Sequence, residues 1–165
     1  MGGLVISPEG LQLIGAPAPV FDLPNQHGEQ VTHEALRGRP AFLIFFPAAF
    51  SPICDGELRE LQRRREGLEP AHLLAVSTDT KFSLRAYAEA EGLGLELLSD
   101  HWPHGEVCRR YAAFDDTRGA AHRVSVLIDS HGVIRDVFQS EAGATRPISR
   151  YLQALASLQA LGQES

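Results

Sequence analysis

Uninterrupted apolar runs alternate with amphipathic stretches along most of the chain, and the change of spacing between them marks its elements. "PAFLIFF" at 40–46 has no polar face, as expected of a strand covered on both sides. After Ser51 the spacing turns helical: Leu58, Leu61 and Leu68 recur among Glu57, Glu60, Arg63, Arg64 and Arg65, which predicts an amphipathic helix with the arginines on its solvated face. "AHLLAVS" at 71–77 predicts a second buried strand, "DTKFSLRAYAEAEGL" at 79–93 a second helix ended near Gly92, and "LELLSD" at 95–100 a third strand. "HGEVCRRYAAF" at 104–114 reads as a short helix. "RVSVLID" and "VIRDVFQS", joined by the tight turn "SHG", read as an antiparallel pair. The closing stretch 146–161 is a helix with Ile148, Leu152, Leu155 and Leu158 on one stripe. Before all of these, "GAPAPVFDLPNQHGEQVTHEAL" at 15–36 is broken by Pro and Gly into short extended pieces that suit an opening hairpin and loop.

Alternating strands and helices followed by a hairpin and a helix predict an α/β sandwich, a mixed central sheet with helices on both faces. No repeat, linker or low-complexity tract divides the chain, so residues 1–165 read as one domain, the first dozen residues forming a loosely held N-terminal extension. A formal charge of −6 and a pI near 5.6 argue against a nucleic-acid or anionic-membrane partner, since both need a positive face. The opening "MGGLVIS" lacks the basic region of a signal peptide. No apolar run approaches the ~18 residues of a membrane span. The expected location is cytoplasmic, where the two cysteines are reactive or simply buried rather than a permanent crosslink.

One of them sits at a junction fixed by two prolines, in "FFPAAFSPICDGEL" at 45–58. Pro47 cannot continue a central strand. Ser51 followed by Pro52 is the preferred arrangement for an N-cap and first helical position. Cys54 then falls in the first turn, among backbone N–H groups without intrahelical acceptors and at the positive end of the helix dipole, a setting that favours thiolate over thiol. A nucleophile is one use of such a residue; a small buried hydrophobe is the other. Arg123, heading an apolar strand, is on its own either a functional cation or an edge-strand charge, and Glu57 a helix-surface charge.

"P-A-A-F-S-P-I-C", from Pro47 to Cys54, is similar to the peroxiredoxin signature P-x-x-x-[TS]-x-x-C, and the longer stretch resembles the AhpE-type branch of that family. The resemblance spans nearly the whole chain, through "GAPAPVFDL", "LLSDHWPHG" and "RVSVLID" followed by "SHGVIR". It implies a thiol-dependent peroxidase on a thioredoxin-like fold. By that resemblance Cys54 is the peroxidatic cysteine, oxidised to a sulfenic acid by hydrogen peroxide, an organic hydroperoxide or peroxynitrite. Ser51 supplies a hydroxyl to the site, Pro47 shields it from water, Arg123 holds the thiolate and the peroxide oxygens, and Glu57 orients Arg123. The family uses no haem, flavin or metal, takes its electrons from a thioredoxin-like protein or a low-molecular-weight thiol, and suggests a homodimer, with Trp102 and Tyr111 as candidate contacts. Two departures stand out. Pro52 stiffens a turn that many peroxiredoxins unwind, and "VSVLID" follows Arg123 where a Thr-Phe pair is common.

Cys108 is either a candidate resolving cysteine, closing an internal disulfide with Cys54, or a buried structural residue that leaves reduction to an external thiol. A bridge requires the two Cα atoms within ~7 Å. The alternative functional class is a thioredoxin-fold binding or metallochaperone module using Cys54 with one of the seven histidines, although no C-x-x-C is present. A catalytically idle relative kept for protein contacts is the other alternative.

Overall fold

The apolar run at 41–45 has no face to give to water, and it forms the middle of the molecule. The computed structural model describes residues 4–141 and 143–163. Its elements in chain order are β1 (Leu4–Val5), α1 (Pro8–Leu13), β2 (Asp22–Pro24), β3 (Gln30–Thr32), β4 (Ala41–Phe45), α2 (Pro52–Arg63), β5 (His72–Ser77), α3 (Lys81–Glu91), β6 (Glu96–Ser99), α4 (Glu106–Arg110), β7 (Phe114–Asp115), β8 (Ala120–Ala121), β9 (Val124–Ile128), β10 (Ile134–Ser140) and α5 (Ile148–Gln163). Six strands form one sheet in the order β1-β10-β9-β4-β5-β6. β4, β5 and β6 run parallel, and β9, β10 and β1 join antiparallel on the other side of β4. The mixed sheet expected from the β/α alternation is therefore present.

Period-two alternation along β4 divides the core into two layers. Leu43 and Phe45 face a cluster containing Val107, Cys108 and Tyr111 of α4 and Val126 of β9. Phe42, Ile44 and the following Phe46 face a second cluster, which contains Cys54, Leu58 and Leu61 of α2, Leu84 and Tyr87 of α3, and Tyr151 and Leu155 of α5. Helices thus cover both faces, and the two cysteines lie on opposite sides of the sheet.

Local chemistry sets the helix ends. The Thr80 hydroxyl accepts the Ser83 amide at 3.1 Å to start α3, and Gly92, with φ +63°, closes it in the left-handed conformation that glycine adopts without strain. α2 stops at Arg63; Leu68, placed by its spacing on the same helix, is buried from a separate 3₁₀ turn at Arg65–Leu68. Arg63, Arg64 and Arg65 are exposed, as expected. In α5 the buried stripe runs through Tyr151, Ala154 and Leu155, while Leu152 is 37% exposed. Tyr151, one position earlier, takes the place expected of Leu152.

Of the stretch 1–12 expected to be a loose extension, residues 1–3 lie outside the described residues, and the rest begins on the sheet edge. Leu4 and Val5 pair with Ser140 and Gln139 on the edge of β10, and the Gly15 amide donates to the Ile134 carbonyl at 2.7 Å. Three apolar residues are too short a run to announce a strand, but the open edge of β10 supplies its partner. No helix among the described residues is long and apolar enough to cross a membrane.

Candidate active site

The parallel strand β4 delivers the chain to the Cys54 junction, and Pro47 stands just past its end, half-buried. The loop that follows is tied to the neighbouring strand end. The Ala49 amide donates to the Asp79 carboxylate at 2.9 Å, and the Ser77 hydroxyl donates to the same oxygen at 2.7 Å. Phe50 adopts φ +64°, a left-handed conformation that costs a non-glycine residue about 1–2 kcal/mol, and its ring packs edge-on against Tyr87 at 5.1 Å. That turn reverses the chain into Ser51, whose extended backbone and hydroxyl cap α2; the Cys54 amide lies 3.5 Å from the Ser51 oxygen, a long hydrogen bond. Pro52 is the first helical residue. Cys54 is fully buried in the first turn, as its position after Ser51-Pro52 predicts.

Arg123 approaches from the residue preceding β9. It is 6% exposed, and its Nη1 lies 3.3 Å from the Cys54 Sγ. The same nitrogen stands 3.6 Å from Oε1 of Glu57, which is 3% exposed, one turn further along α2. Glu57 is therefore not a surface charge. Five of the predicted site residues, Pro47, Ser51, Cys54, Glu57 and Arg123, come together.

A second arginine, absent from the sequence reading, completes the cluster. Arg146, just before α5 and 3% exposed, grips Glu57 with Nη2 on Oε1, Nε on Oε2 at 3.2 Å, and its own backbone amide on Oε2 at 2.6 Å. Its Nη1 donates to the Ser125 hydroxyl at 3.1 Å, and Ser125 shares a 2.7 Å hydrogen bond with the Tyr151 hydroxyl. Burial works against the Arg146 charge, but the Tyr151 oxygen and Glu57 facing it push its pKa up. Burial pushes the Tyr151 hydroxyl up to about 12, with Arg146 opposing, so it stays un-ionised at neutral pH. Ser125, in the "VSVLID" that follows Arg123, gives its hydroxyl to Arg146. The only sequence sign of Arg146 is a lone arginine before a helix-starting proline, which is indistinguishable from a surface charge.

Cys108 does not join this group. It lies on α4 across the sheet, with its amide bonded to the Asp100 carboxylate at 2.8 Å and its thiol facing that carboxylate. Burial first, and then the Asp100 charge, push the Cys108 thiol far above the ordinary thiol range, so it stays protonated at physiological pH. Tyr111, expected near a contact surface, is a fully buried core residue whose hydroxyl donates to the Pro19 carbonyl at 2.7 Å; Trp102 is 81% exposed. Among the described residues no group of three or more His, Cys, Asp or Glu side chains is placed to hold a metal ion.

A cleft of about 710 Å³ opens beside the thiol. Pro47, Ser51, Ile53 and Arg123 of the Cys54 surroundings line it, together with Val5 and the charged Asp115, Arg118 and Glu141.

Comparison with known proteins follows the same outline. The sequence pattern of the AhpC/TSA family matches residues 14–137. The chain is 36% identical over 150 residues to alkyl hydroperoxide reductase E of Mycobacterium tuberculosis, covering 89% of this chain and 98% of that protein. It is 35% identical over 132 residues to peroxiredoxin Bcp of Escherichia coli, covering 75% and 83%. Among solved structures, peroxidoxin BcpB of Mycobacterium tuberculosis aligns with a TM-score of 0.78 at 25% identity over 87% of this chain and 96% of that one. The Enterococcus faecalis AhpC structure, with a TM-score of 0.85 at 24% identity over 92% and 95%, shares the fold. On this match of pattern, sequence and thioredoxin-like architecture, the chain belongs to the AhpC/TSA family of peroxiredoxins and is a thiol-dependent peroxidase.

Proposed function

We propose that Cys54 is the peroxidatic thiol of this peroxidase, held by Arg123 and reduced after each cycle by an external thiol. The observation that carries the reading is the 3.3 Å contact between a buried guanidinium and a buried sulfur in the first turn of α2. Arg123 and Arg146 bring two positive charges into the cluster against the one negative charge of Glu57, so the charges balance when the sulfur is a thiolate. The positive end of the α2 dipole adds to that field.

In the reaction the thiolate attacks the terminal oxygen of a hydroperoxide. The S–O bond forms as the O–O bond breaks, the sulfur is oxidised by two electrons to a sulfenic acid, and the other oxygen leaves as an alkoxide or hydroxide that takes up a proton. The negative charge moves from sulfur to the leaving oxygen, within reach of the Arg123 fork, whose planar donors suit both. A thiol reductant then attacks the sulfenic sulfur with loss of water, giving a mixed disulfide. A second thiol displaces Cys54 as thiolate and carries away the disulfide. Pro47 and Ser51 act here as the wall and the hydroxyl beside the reacting atoms. Because the free thiols suit a reducing compartment, the reading includes a cytoplasmic location. It also includes a homodimer, for which exposed Phe82 and Trp102, at 74% and 81%, are candidate contact residues.

External reduction is favoured by the separation of the two cysteines across the sheet. One equivalent of peroxide should add one oxygen atom to the protein at Cys54, leaving Cys108 open to alkylation once the chain is unfolded. Loss of two hydrogens from the monomer, with neither cysteine alkylatable, would refute external reduction; absence of any change at Cys54 would refute the peroxidatic assignment.

Arg123→Met keeps the side chain's bulk and removes its donors. The second-order rate of Cys54 oxidation by hydrogen peroxide should fall about a hundredfold, the usual effect of removing one preorganised donor from a charged transition state. Stopped-flow measurement of that rate, with the fold checked by circular dichroism, tests it; a change below about threefold would remove Arg123 from the reacting atoms.

A further inference from the structure

Among the described residues two buried side-chain polar atoms make no hydrogen bond, Oδ1 of Asp55 and the Tyr87 hydroxyl. Asp55 directly follows the thiol on α2, and Tyr87, fully buried on α3, packs in the same apolar layer as Cys54. The two groups face each other. Burial first, and then the Asp55 carboxylate, push the Tyr87 hydroxyl far above the ordinary tyrosine range, with the Cys54 sulfur adding to the effect. Tyr87 therefore remains a donor at physiological pH, and Oδ1 of Asp55 is an unfilled acceptor in front of it. Buried polar groups are nearly always paired, because leaving a donor and an acceptor empty costs the desolvation of both. A rotation of the two side chains joins this pair without moving either helix.

Tyr87 also reaches the other end of the catalytic turn. Its ring packs edge-on against Phe50 at 5.1 Å, and Phe50, four residues before Cys54, carries the left-handed φ of +64°. One side chain of α3 thus touches the residue that turns the chain into α2 and faces the residue just past the thiol. The cap at Ser51 is a weaker tie, at 3.5 Å from the Cys54 amide.

Such a clamp bears on the cycle because Cys54 is fully buried. Oxidation needs the thiolate against Arg123. Reduction needs a second sulfur in line with the S–O bond of the sulfenic acid: the S–S bond forms as the S–O bond breaks, the Cys54 sulfur is reduced and the reductant sulfur oxidised, and the hydroxide leaves as water with the thiol's proton. The turn must open between the two steps.

We propose that Tyr87 is a positioning residue that clamps the turn at 50–55: its hydroxyl on Asp55 and its ring on Phe50 hold Cys54 against Arg123, and release of the clamp admits the reducing thiol. This rests on the reading of Cys54 as the peroxidatic thiol.

Tyr87→Phe keeps the ring on Phe50 and removes the hydroxyl. In the test the sulfenic acid of the full chain is formed with one equivalent of hydrogen peroxide and mixed with 2-nitro-5-thiobenzoate, whose loss of absorbance follows formation of the mixed disulfide. The rate constant for that step should rise roughly tenfold, the effect of losing one charge-assisted hydrogen bond from the closed turn, while the constant for oxidation by peroxide does not rise. A side chain that only filled the core would lower the melting temperature and leave the ratio of the two constants unchanged. Asp55→Ala reads the same contact from α2 and should shift the ratio in the same direction, and the double variant should go no further than either single change. An unchanged ratio in the single variants, or additive shifts in the double variant, would overturn the clamp. Failure of the unaltered protein to form a sulfenic acid at Cys54 would instead overturn the peroxidatic assignment, and this role with it.

Discussion

Cys54→Ser is expected to reduce peroxide consumption by roughly 10⁴-fold or more, to the level of buffer, while Cys108→Ser keeps activity within about twofold. A hydroxyl at position 54 would still lie beside Arg123 at the start of α2, but it is a far weaker nucleophile and cannot accept an oxygen atom as sulfur does. The fold should survive, because the replacement is nearly isosteric in a turn whose backbone is fixed by Ser51 and Pro52. The contrast with Cys108 follows from the sheet. Cys54 packs with Phe42, Ile44 and Phe46, and Cys108 with Leu43 and Phe45, so the strand β4 itself stands between the two thiols. Facing sheets and helices pack about 10 Å apart, more than the ~7 Å Cα separation a disulfide tolerates. Serine at 108 can present its hydroxyl to Asp100 in place of the thiol, so its cost falls on stability rather than turnover. Steady-state peroxide consumption with a dithiol reductant measures both variants. Loss of turnover in Cys108→Ser would mean that α4 leaves its layer during the cycle.

What could be read from the chain depended on distance along it. The Cys54 junction was legible because its determinants are contiguous: Pro47, Ser51, Pro52 and the thiol lie within eight positions, and each acts on the local backbone. The strands and main helices were legible for the same reason, since periodicity is a local property. Arg123 could be singled out only through the resemblance of its flanking segment. Arg146, Ser125 and Tyr151 were missed because nothing near them in the sequence announces a buried charge; Arg146 finds Glu57 89 residues away and Ser125 21 residues away. The sides taken by the two cysteines were hidden by the apolar run itself. A strand buried on both faces has no polar alternation to show which neighbour lies above and which below. Likewise Leu4 and Val5 became a strand because β10 presented an edge, not because of their own pattern.

Glu57→Ala is expected to lower the free energy of unfolding by about 3–5 kcal/mol, the cost of stranding a buried charge by deleting its partner. Arg146 is left most exposed by the change: its backbone amide and both ends of its guanidinium bond to Glu57, it has almost no contact with water, and Ser125 alone cannot replace that carboxylate. Arg123 would lose its nearest carboxylate at the same time, leaving two like charges in one apolar layer beside Cys54. For a chain of this length each kcal/mol shifts the melting temperature by about 2–4 °C, so a fall of about 10 °C is the visible result. A cavity left by the missing side chain would also destabilise, and the two causes separate in a double-mutant cycle. If charge dominates, Glu57→Ala combined with Arg146→Met should be less destabilising than the sum of the single changes by about 1–3 kcal/mol, because the second substitution removes the group the first one stranded. Strict additivity would assign the loss to packing. Glu57→Gln separates the charge from the hydrogen bonds in a different way, retaining one acceptor for Arg146 while removing its counter-charge, and should fall between the parent and Glu57→Ala in stability.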